Sequence, residues 1–465
     1  MTTNRRLSLL AAALASTMAT PAAAQDAMTT SEELAALRAE LARLSARVDQ
    51  LEGELAETEA NAAAANDAAV AAAAAANTAS EQAIAATEKA AEAPSIAFKG
   101  APEIKAKGGW SFKPRGRLMY DAGFTSVPTS TGRDDGFGNE VRRARLGVSG
   151  DIPGGFGYKF ELDFAGNEVE AADAYLSYGD GPIEVIVGHH NNFQSLEELT
   201  SSLHTTFIER AAFTDAFGFE RRIGASMTYS DGIVLAQAGV FTDNFADTST
   251  GNRGVDGRLV LMPKLGDTQL HFGGSIHYND IDNGAASVRY RQRPLVHFTS
   301  ERFVNTGNLA ANSELGFGLE GAAISGPFHV AAEGFWQKVS RPSVLTDPTF
   351  FGGYAEVGYY LTRGDTRGYK GGKFDRTKPA NPVGEGGIGS IQLNLRYDYL
   401  DLVDAGIVGG IQNGYLASLV WKPTDYTLFS LNYGLMEYDD AVYAAAGGDT
   451  SYSVDSFGVR AQIDF

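Results

Sequence analysis

The chain ends in FGVRAQIDF, residues 457–465. In an extended strand, successive side chains leave on opposite faces. Phe457, Val459, Ala461, Ile463 and Phe465 then form an apolar face, and Gly458, Arg460, Gln462 and Asp464 form a polar one. At the end of a soluble protein such a strand is an aggregation hazard, because nothing follows to cover its apolar side. It makes physical sense if that side meets lipid. The strands before it decide the matter.

The same alternation recurs upstream. In FGYKFELDF (156–164), Phe156, Tyr158, Phe160, Leu162 and Phe164 alternate with Gly157, Lys159, Glu161 and Asp163. In LHFGGSIHY (270–278) and IQLNLRYDY (391–399), Leu270, Phe272, Ile276, Leu393, Leu395 and Tyr397 alternate with His271, Ser275, His277, Asn394, Arg396 and Asp398. The pattern holds from about Phe98 onward, in segments near the ~9–11 residues that carry a tilted strand across a bilayer. Short turns such as IPGG (152–155) and GDGP (179–182) alternate with long polar loops. Residues 98–465 therefore read as an all-β transmembrane barrel of antiparallel strands. Its terminal Phe465 resembles the signal that the outer-membrane assembly machinery recognises. Counting segments gives about seventeen strands, whereas single-chain bacterial barrels carry an even number. The segment to discard is SVRYRQRP (287–294), where Pro294 follows at once and the alternate face (Val288, Tyr290, Gln292) is weakly apolar. About sixteen strands then remain, wide enough for an aqueous channel.

Composition narrows the rest. The 465 residues include no cysteine, which removes disulfides, thiolate metal centres and a cysteine nucleophile. Arg5 and Arg6, the apolar run Leu7–Ala15 and Ala22-Ala23-Ala24 read as a signal peptide over residues 1–24. No later run reaches the ~20 apolar residues of a membrane-spanning helix. The expected address is the Gram-negative outer membrane, with outer-membrane lipid around the barrel. A formal net charge of −19 argues against a nucleic-acid partner. His189-His190-Asn191-Asn192 has no carboxylate at ligand spacing, and no P-loop, GxSxG or zinc motif is present. The reading is a non-enzyme without metal or cofactor.

Residues 25–97 form a different segment, expected in the periplasm. Leu34, Leu37, Leu41, Leu44, Val48, Leu51 and Leu55 recur at alternating spacings of three and four, and the same register continues on alanines to Ala93. Such a heptad seam predicts a self-associating coiled coil over 34–93. At 1.5 Å per residue it would make a rod on the order of 95 Å long. Pro94 ends it. One reading gives the rod a cell-wall partner, peptidoglycan, with the barrel as a weakly selective anchor.

Seven stretches in order resemble the phosphate-selective porins, the O and P type of Gram-negative outer membranes. They are GRLMYD (116–121), VRRARLGVSG (141–150), LEELTSS with TFIERAAFTDAF (196–217), SVRYRQRP, YYLTRGDTRGYK (359–370), KP (378–379) and LRYDYLDL (395–402). The resemblance implies a homotrimer whose loops fold into the lumen and whose arginines conduct small anions, phosphate above all. It makes Arg117, Arg142 and Arg143 the central arginines, Asp173 the acidic residue beside them, and Arg289, Arg291 and Arg293 a ladder. Alternation independently turns Arg117, Arg143 and Arg145 inward, opposite Leu118, Ala144 and Leu146, but turns Arg142 toward lipid unless it lies above the apolar band. The competing reading of Arg117 and Arg143 is a structural salt bridge, to Asp121 or Asp163. Residues 191–221 suit a constriction loop, with Glu198, Glu209 and Arg210 in it. Here the chain departs from the family, because Glu198 and Leu203 stand where lysines are expected. Six of 38 basic and thirteen of 57 acidic residues precede Phe98, leaving 32 against 44 beyond it, a net −12. An anion channel is possible on that balance only if most acids lie off the path.

Overall fold

The computed structural model describes residues 30–92, 94–166, 168–245, 251–281 and 287–465. The signal-peptide reading and the last seam position, Ala93, lie outside these. The chain divides into two units between Ala91 and Glu92. In the first, a single helix α1 runs over Thr30–Glu92, 63 residues. Alanine and leucine are strong helix formers, and Glu32 and Glu33 in the first turn with Lys89 in the last complement the helix dipole. The seam leucines from Leu34 to Leu55 are each about half or more exposed on it, so the helix has an uncovered apolar stripe.

The second unit opens with a hairpin, Ser95–Lys99 against Ala101–Lys105. The barrel strands follow: β1 Ser111–Ser126, β2 Gly136–Ile152, β3 Phe156–Asp163, β4 Glu170–Asp180, β5 Ile183–Asn191, β6 Arg221–Asp231, β7 Val234–Phe241 and β8 Arg253–Leu261. Then come β9 Thr268–Asp280, β10 Ser313–Ser325, β11 Phe328–Ser340, β12 Thr349–Tyr360, β13 Ser390–Asp404, β14 Ile407–Thr424, β15 Thr427–Asp439 and β16 Tyr452–Asp464. Each pairs antiparallel with the next, and β16 returns to β1 with Phe457 opposite Phe124 and Ile463 opposite Leu118. Among the described residues this is a closed barrel of 16 strands. Several strands are longer than a membrane crossing needs, up to 18 residues in β14. Leu118, Phe160, Leu259, Phe317, Leu395 and Leu431 are exposed on its outside, the face that meets lipid.

The arginine stretch is not a wall strand. Its two-residue pieces Ser287–Val288 and Arg291–Gln292 pair with Leu309–Ala310 and Val304–Asn305 within the β9–β10 connection. The expected plan of short turns at one end and long loops at the other holds only in part. The β12–β13 connection, 361–389, is long yet leaves from the end that carries the short turns, and β13–β14 at the opposite end is joined by Ala405-Gly406 alone. A bore this wide cannot be filled by wall side chains. The connections 192–220, 287–312 and 361–389 fill it instead, burying Leu196, Ile208, Phe213, Phe303 and Phe374. Phe213 lies at 6.2 Å from Phe335 and 6.4 Å from Tyr354, stacked on both.

Closure at the C-terminus is tight. Gly116 N–H donates to the Phe465 carbonyl (3.1 Å) and Phe465 N–H to that of Gly116 (3.0 Å). A Cβ at position 116 would stand 2.1 Å from Phe465 Cζ. Gly116→Ala is therefore expected to displace the terminal ring and lower the temperature at which the folded barrel shifts to the unfolded band on an unheated gel. Gly132→Ala should not act through contacts, since no atom lies within 4 Å of a Cβ there.

Candidate functional site

The connection 192–220 crosses the bore and must find acceptors for its backbone N–H groups away from water. It contains two short helices, α2 Leu196–Leu199 and α3 Ala212–Ala216. Wall carboxylates and amides supply the acceptors. Glu333 on β11 accepts from Leu196 N–H (2.8 Å) and Glu197 N–H (2.7 Å). Asp398 on β13 accepts from Ala212 N–H (2.9 Å), and Asn432 on β15 from Ile208 N–H (3.0 Å). Glu356 on β12 accepts from Thr206 Oγ1 (2.8 Å) and from Arg396, whose guanidinium also reaches Glu197 (2.7 Å). That guanidinium lies 4.6 Å from both the Phe207 and Tyr354 ring centres. The loop is thus tied to the β11–β15 half of the wall. The other half meets the loop at fewer points, Arg142 on Glu209 and Arg117 on Ser202, and its Arg142, Arg143 and Arg145 border open space.

Arg142 is corrected by the structure. Met119 pairs with Arg143 but Tyr120 with Val141, so β2 carries one extra residue there. This bulge lets Arg142 and Arg143 both enter the bore, against strict alternation. Arg142 binds Glu209 through two hydrogen bonds (2.6 and 3.0 Å), and Glu209 lies 3.4 Å from Arg460. Arg143 is buried with its Nη1 at 3.8 Å from Met119 Sδ. Among the described residues no carboxylate stands within ion-pair distance of it, because the neighbouring acids pair with Arg142, Arg145 and Arg460. Arg145 pairs with Asp163 (2.7 Å) and Glu161 (3.3 Å). Arg117 pairs with Glu161 (3.4 Å), rather than with Asp121 or Asp163, and donates to Ser202 Oγ (3.1 Å). Asp173 joins Lys159 to Arg221 (2.8 Å to the latter).

Arg142, Arg143 and Arg145, but not Arg117 or Asp173, border a cavity of about 240 Å³ between β2–β5, the loop 192–220 and residues 292–297. Its wall includes Arg142, Arg143, Arg145, Arg210, Arg221 and Arg293, with Glu198, Glu209, Asp163, Glu170, Asp215 and Glu220 opposite in charge. Glu198 pairs with Arg210 (3.4 Å), whose other nitrogens bond the Glu197 and Thr200 carbonyls. Burial pushes the Glu198 carboxyl up, against the pull of Arg210. Burial acts on Glu209 in the same direction, but Arg142, with Arg143 and Arg460 beyond it, outweighs it and holds Glu209 well below the usual carboxylate range. His189 lines the cavity too, and His190 bonds Ser226 Oγ (2.8 Å). No group of three His, Asp or Glu suited to a metal occurs among the described residues.

The ladder arginines share one side of their segment. Tyr290 and Gln292 are buried between them, while Arg289 and Arg291 are exposed and Arg293 is half-buried. Arg289 meets Asn305 (2.9 Å) and Arg293 meets Asp215 only at 3.9 Å. Desolvation and the positive charges of Arg293, Arg291 and Arg289 push the Arg302 guanidinium down to about 10, which adds a fourth cation to this group. Tyr290 Oη anchors the segment on Glu314 (2.6 Å) and Ser456 Oγ on the Pro294 carbonyl (2.7 Å).

Three important arginines were not singled out from sequence: Arg258, Arg396 and Arg460. Arg460 binds Asp121 through two 2.7 Å bonds and Arg258 binds Glu320 at 2.6 and 2.7 Å. Arg396 and Arg460 occupy polar positions of quoted strands, so alternation alone turned them inward. Arg460 and Asp121 are nearly unexposed, and breaking such a pair from one side costs about 3–5 kcal/mol. Arg460→Gln is expected to lower the free energy of unfolding, read from denaturant titration, by that order, and adding Asp121→Asn should restore much of it.

The phosphate-selective porin O and P family matches residues 112–465. A Caulobacter vibrioides protein described as uncharacterized is 48% identical over 389 residues, 81% of this chain and 78% of that one. Among solved structures, an anion-selective porin from Comamonas acidovorans matches with TM-score 0.50 and 14% identity, over 77% of this chain and 100% of that chain. Outer-membrane expressed OmpT of Vibrio cholerae matches with TM-score 0.50 and 10% identity, over 78% and 100%. Both are likenesses of fold. With a family match over residues 112–465 and a relative 48% identical over 81% of the chain, the chain belongs to the phosphate-selective porins of the O and P type and forms a porin channel of the Gram-negative outer membrane.

Proposed function

We propose that the channel passes small anions by passive diffusion, phosphate and phosphorylated anions foremost. The observation that carries this is Arg143, a buried guanidinium that borders the cavity with no carboxylate within ion-pair distance among the described residues. An arginine fork matches phosphate oxygens in pairs of hydrogen bonds and stays charged at any physiological pH. Arg289 and Arg291, exposed at the approach from the long loops, would gather anions before the cavity. Arg115 and Lys113, on inward positions of β1, continue the basic line toward the short-turn end. Several weak sites in series let an ion leave as readily as it enters. Loop 192–220 has no lysine, so discrimination among anions in this chain rests on these arginines and on the cavity's shape.

In a planar bilayer with asymmetric salt, the zero-current potential should show anion preference. Arg143→Gln should reduce it, and the triple change Arg289→Ala, Arg291→Ala, Arg293→Ala should shift it toward cations and weaken phosphate block of chloride current. A triple variant with unchanged potential and block at every salt concentration would sink the ladder reading, whereas a merely solvated patch would lose its effect at high salt by screening.

We further infer that the protein is a homotrimer and that the exposed seam of α1 pairs with copies of itself, since a stripe of leucines this long is costly to leave in water. Deleting residues 31–93 should lower the heat stability of the trimer and leave single-channel conductance unchanged. Unaltered trimer stability would assign the seam to a different partner.

A further inference from the structure

Charges around the cavity are mostly neutralised in pairs: Arg142 with Glu209, Arg145 with Asp163, Arg210 with Glu198. Arg221 pairs with Asp173, Arg293 approaches Asp215 at 3.9 Å, and Glu220 accepts from Asn244. Among the described residues two further charged groups of the cavity wall stand outside these contacts. Arg143 is one. The other is Glu170, the first residue of β4, which borders the same cavity, is exposed, and has no hydrogen-bond or ion-pair partner among the described residues.

The sheet fixes how far apart they are. Arg145 pairs with Asp163 across β2–β3, and Asp163 with Glu170 across β3–β4. Glu170 is therefore two strands from Arg145, and Arg143 lies two residues along β2. With strands ~4.8 Å apart and a rise of ~3.4 Å per residue, the two Cα atoms are about 12 Å apart. Both side chains border the same cavity, which places small-molecule space between a cation and an anion.

Resting on the anion-channel reading, we infer that the cavity favours a zwitterionic phosphate ester over a purely anionic one. The phosphoryl group would lie on Arg143 and a tethered ammonium on Glu170. Inorganic phosphate satisfies Arg143 but meets the uncompensated Glu170 carboxylate as a like charge, which opposes its entry. An ammonium a short tether away from the phosphoryl turns that repulsion into a second contact. Glu170 is exposed to the water of the bore, so its effect is that of a screened ion pair, about two- to fivefold in rate.

The test uses the full-length protein in liposomes and compares uptake of O-phosphoethanolamine with that of ethyl phosphate, which keeps the phosphate and the two-carbon chain but has no ammonium. Wild type should take up phosphoethanolamine faster by about two- to fivefold. Glu170→Gln should bring the ratio near one, mainly by speeding ethyl phosphate, and Glu170→Lys should invert it. Arg143→Gln should slow both. A ratio unaffected by Glu170→Gln and Glu170→Lys overturns the inference and leaves the anion channel standing. Uptake of ethyl phosphate no faster than that of an uncharged solute of its size overturns both.

Discussion

A loop that crosses the inside of a barrel brings backbone N–H groups into a place where water is scarce, and each must be bonded. In this chain the wall answers with carboxylates: Glu333 caps the first turn of α2, Asp398 the first turn of α3, and Glu356 bridges Thr206 to Arg396. The positive ends of helices and N–H groups are natural partners for such anions. This use of acids has a functional consequence. Many of the carboxylates that face the bore are engaged, either in holding the loop or in pairs such as Asp121–Arg460 and Glu320–Arg258. Net charge counts them all, whereas a passing ion feels the groups left over.

Where the loop is tied also decides where open space remains in the bore. Phe213, Phe335, Phe350 and Leu400 pack into one buried cluster on the β11–β13 side. The opposite wall, β1 to β6, keeps its polar face open, and there a single extra residue in β2 places two consecutive arginines inward. Arg142 is spent on Glu209, which fastens the loop from this side as well. Arg143 is not. Of two consecutive arginines, one is thus tied to a loop carboxylate and the other borders the cavity without an ion pair among the described residues.

The barrel was legible because strands with one lipid face obey period two, as FGVRAQIDF and IQLNLRYDY do, and because an even strand number exposed SVRYRQRP as a loop. Arg142 was misplaced by that same rule, since a bulge adds a residue without marking it in the sequence. The inward course of 361–389 was hidden for another reason: YKGGKFD (369–375) is polar and glycine-rich, and reads as an ordinary exposed turn. Gly371 and Gly372, with φ of 58° and 70°, make its tight turn, and Gly372 comes close to Leu235 and Arg258 in the bore. The partners of the arginines were the least legible. Arg460 and Asp121 are 339 residues apart and meet only because β16 closes onto β1. The glutamate and leucine at positions 198 and 203 were visible as departures from the family, and the Glu198–Arg210 pair gives the first of them a local use.

The most direct measurement is the position of anions inside the bore. Crystals of the full-length protein soaked in bromide, with diffraction recorded at the bromine absorption edge, would reveal them as anomalous peaks. Peaks are expected beside the Arg143 guanidinium and along Arg289 and Arg291, with none beside Glu333, Glu356 or Asp398. Bromide confined to the outer surface, with the arginine-lined half of the bore empty, would contradict an anion path along these residues.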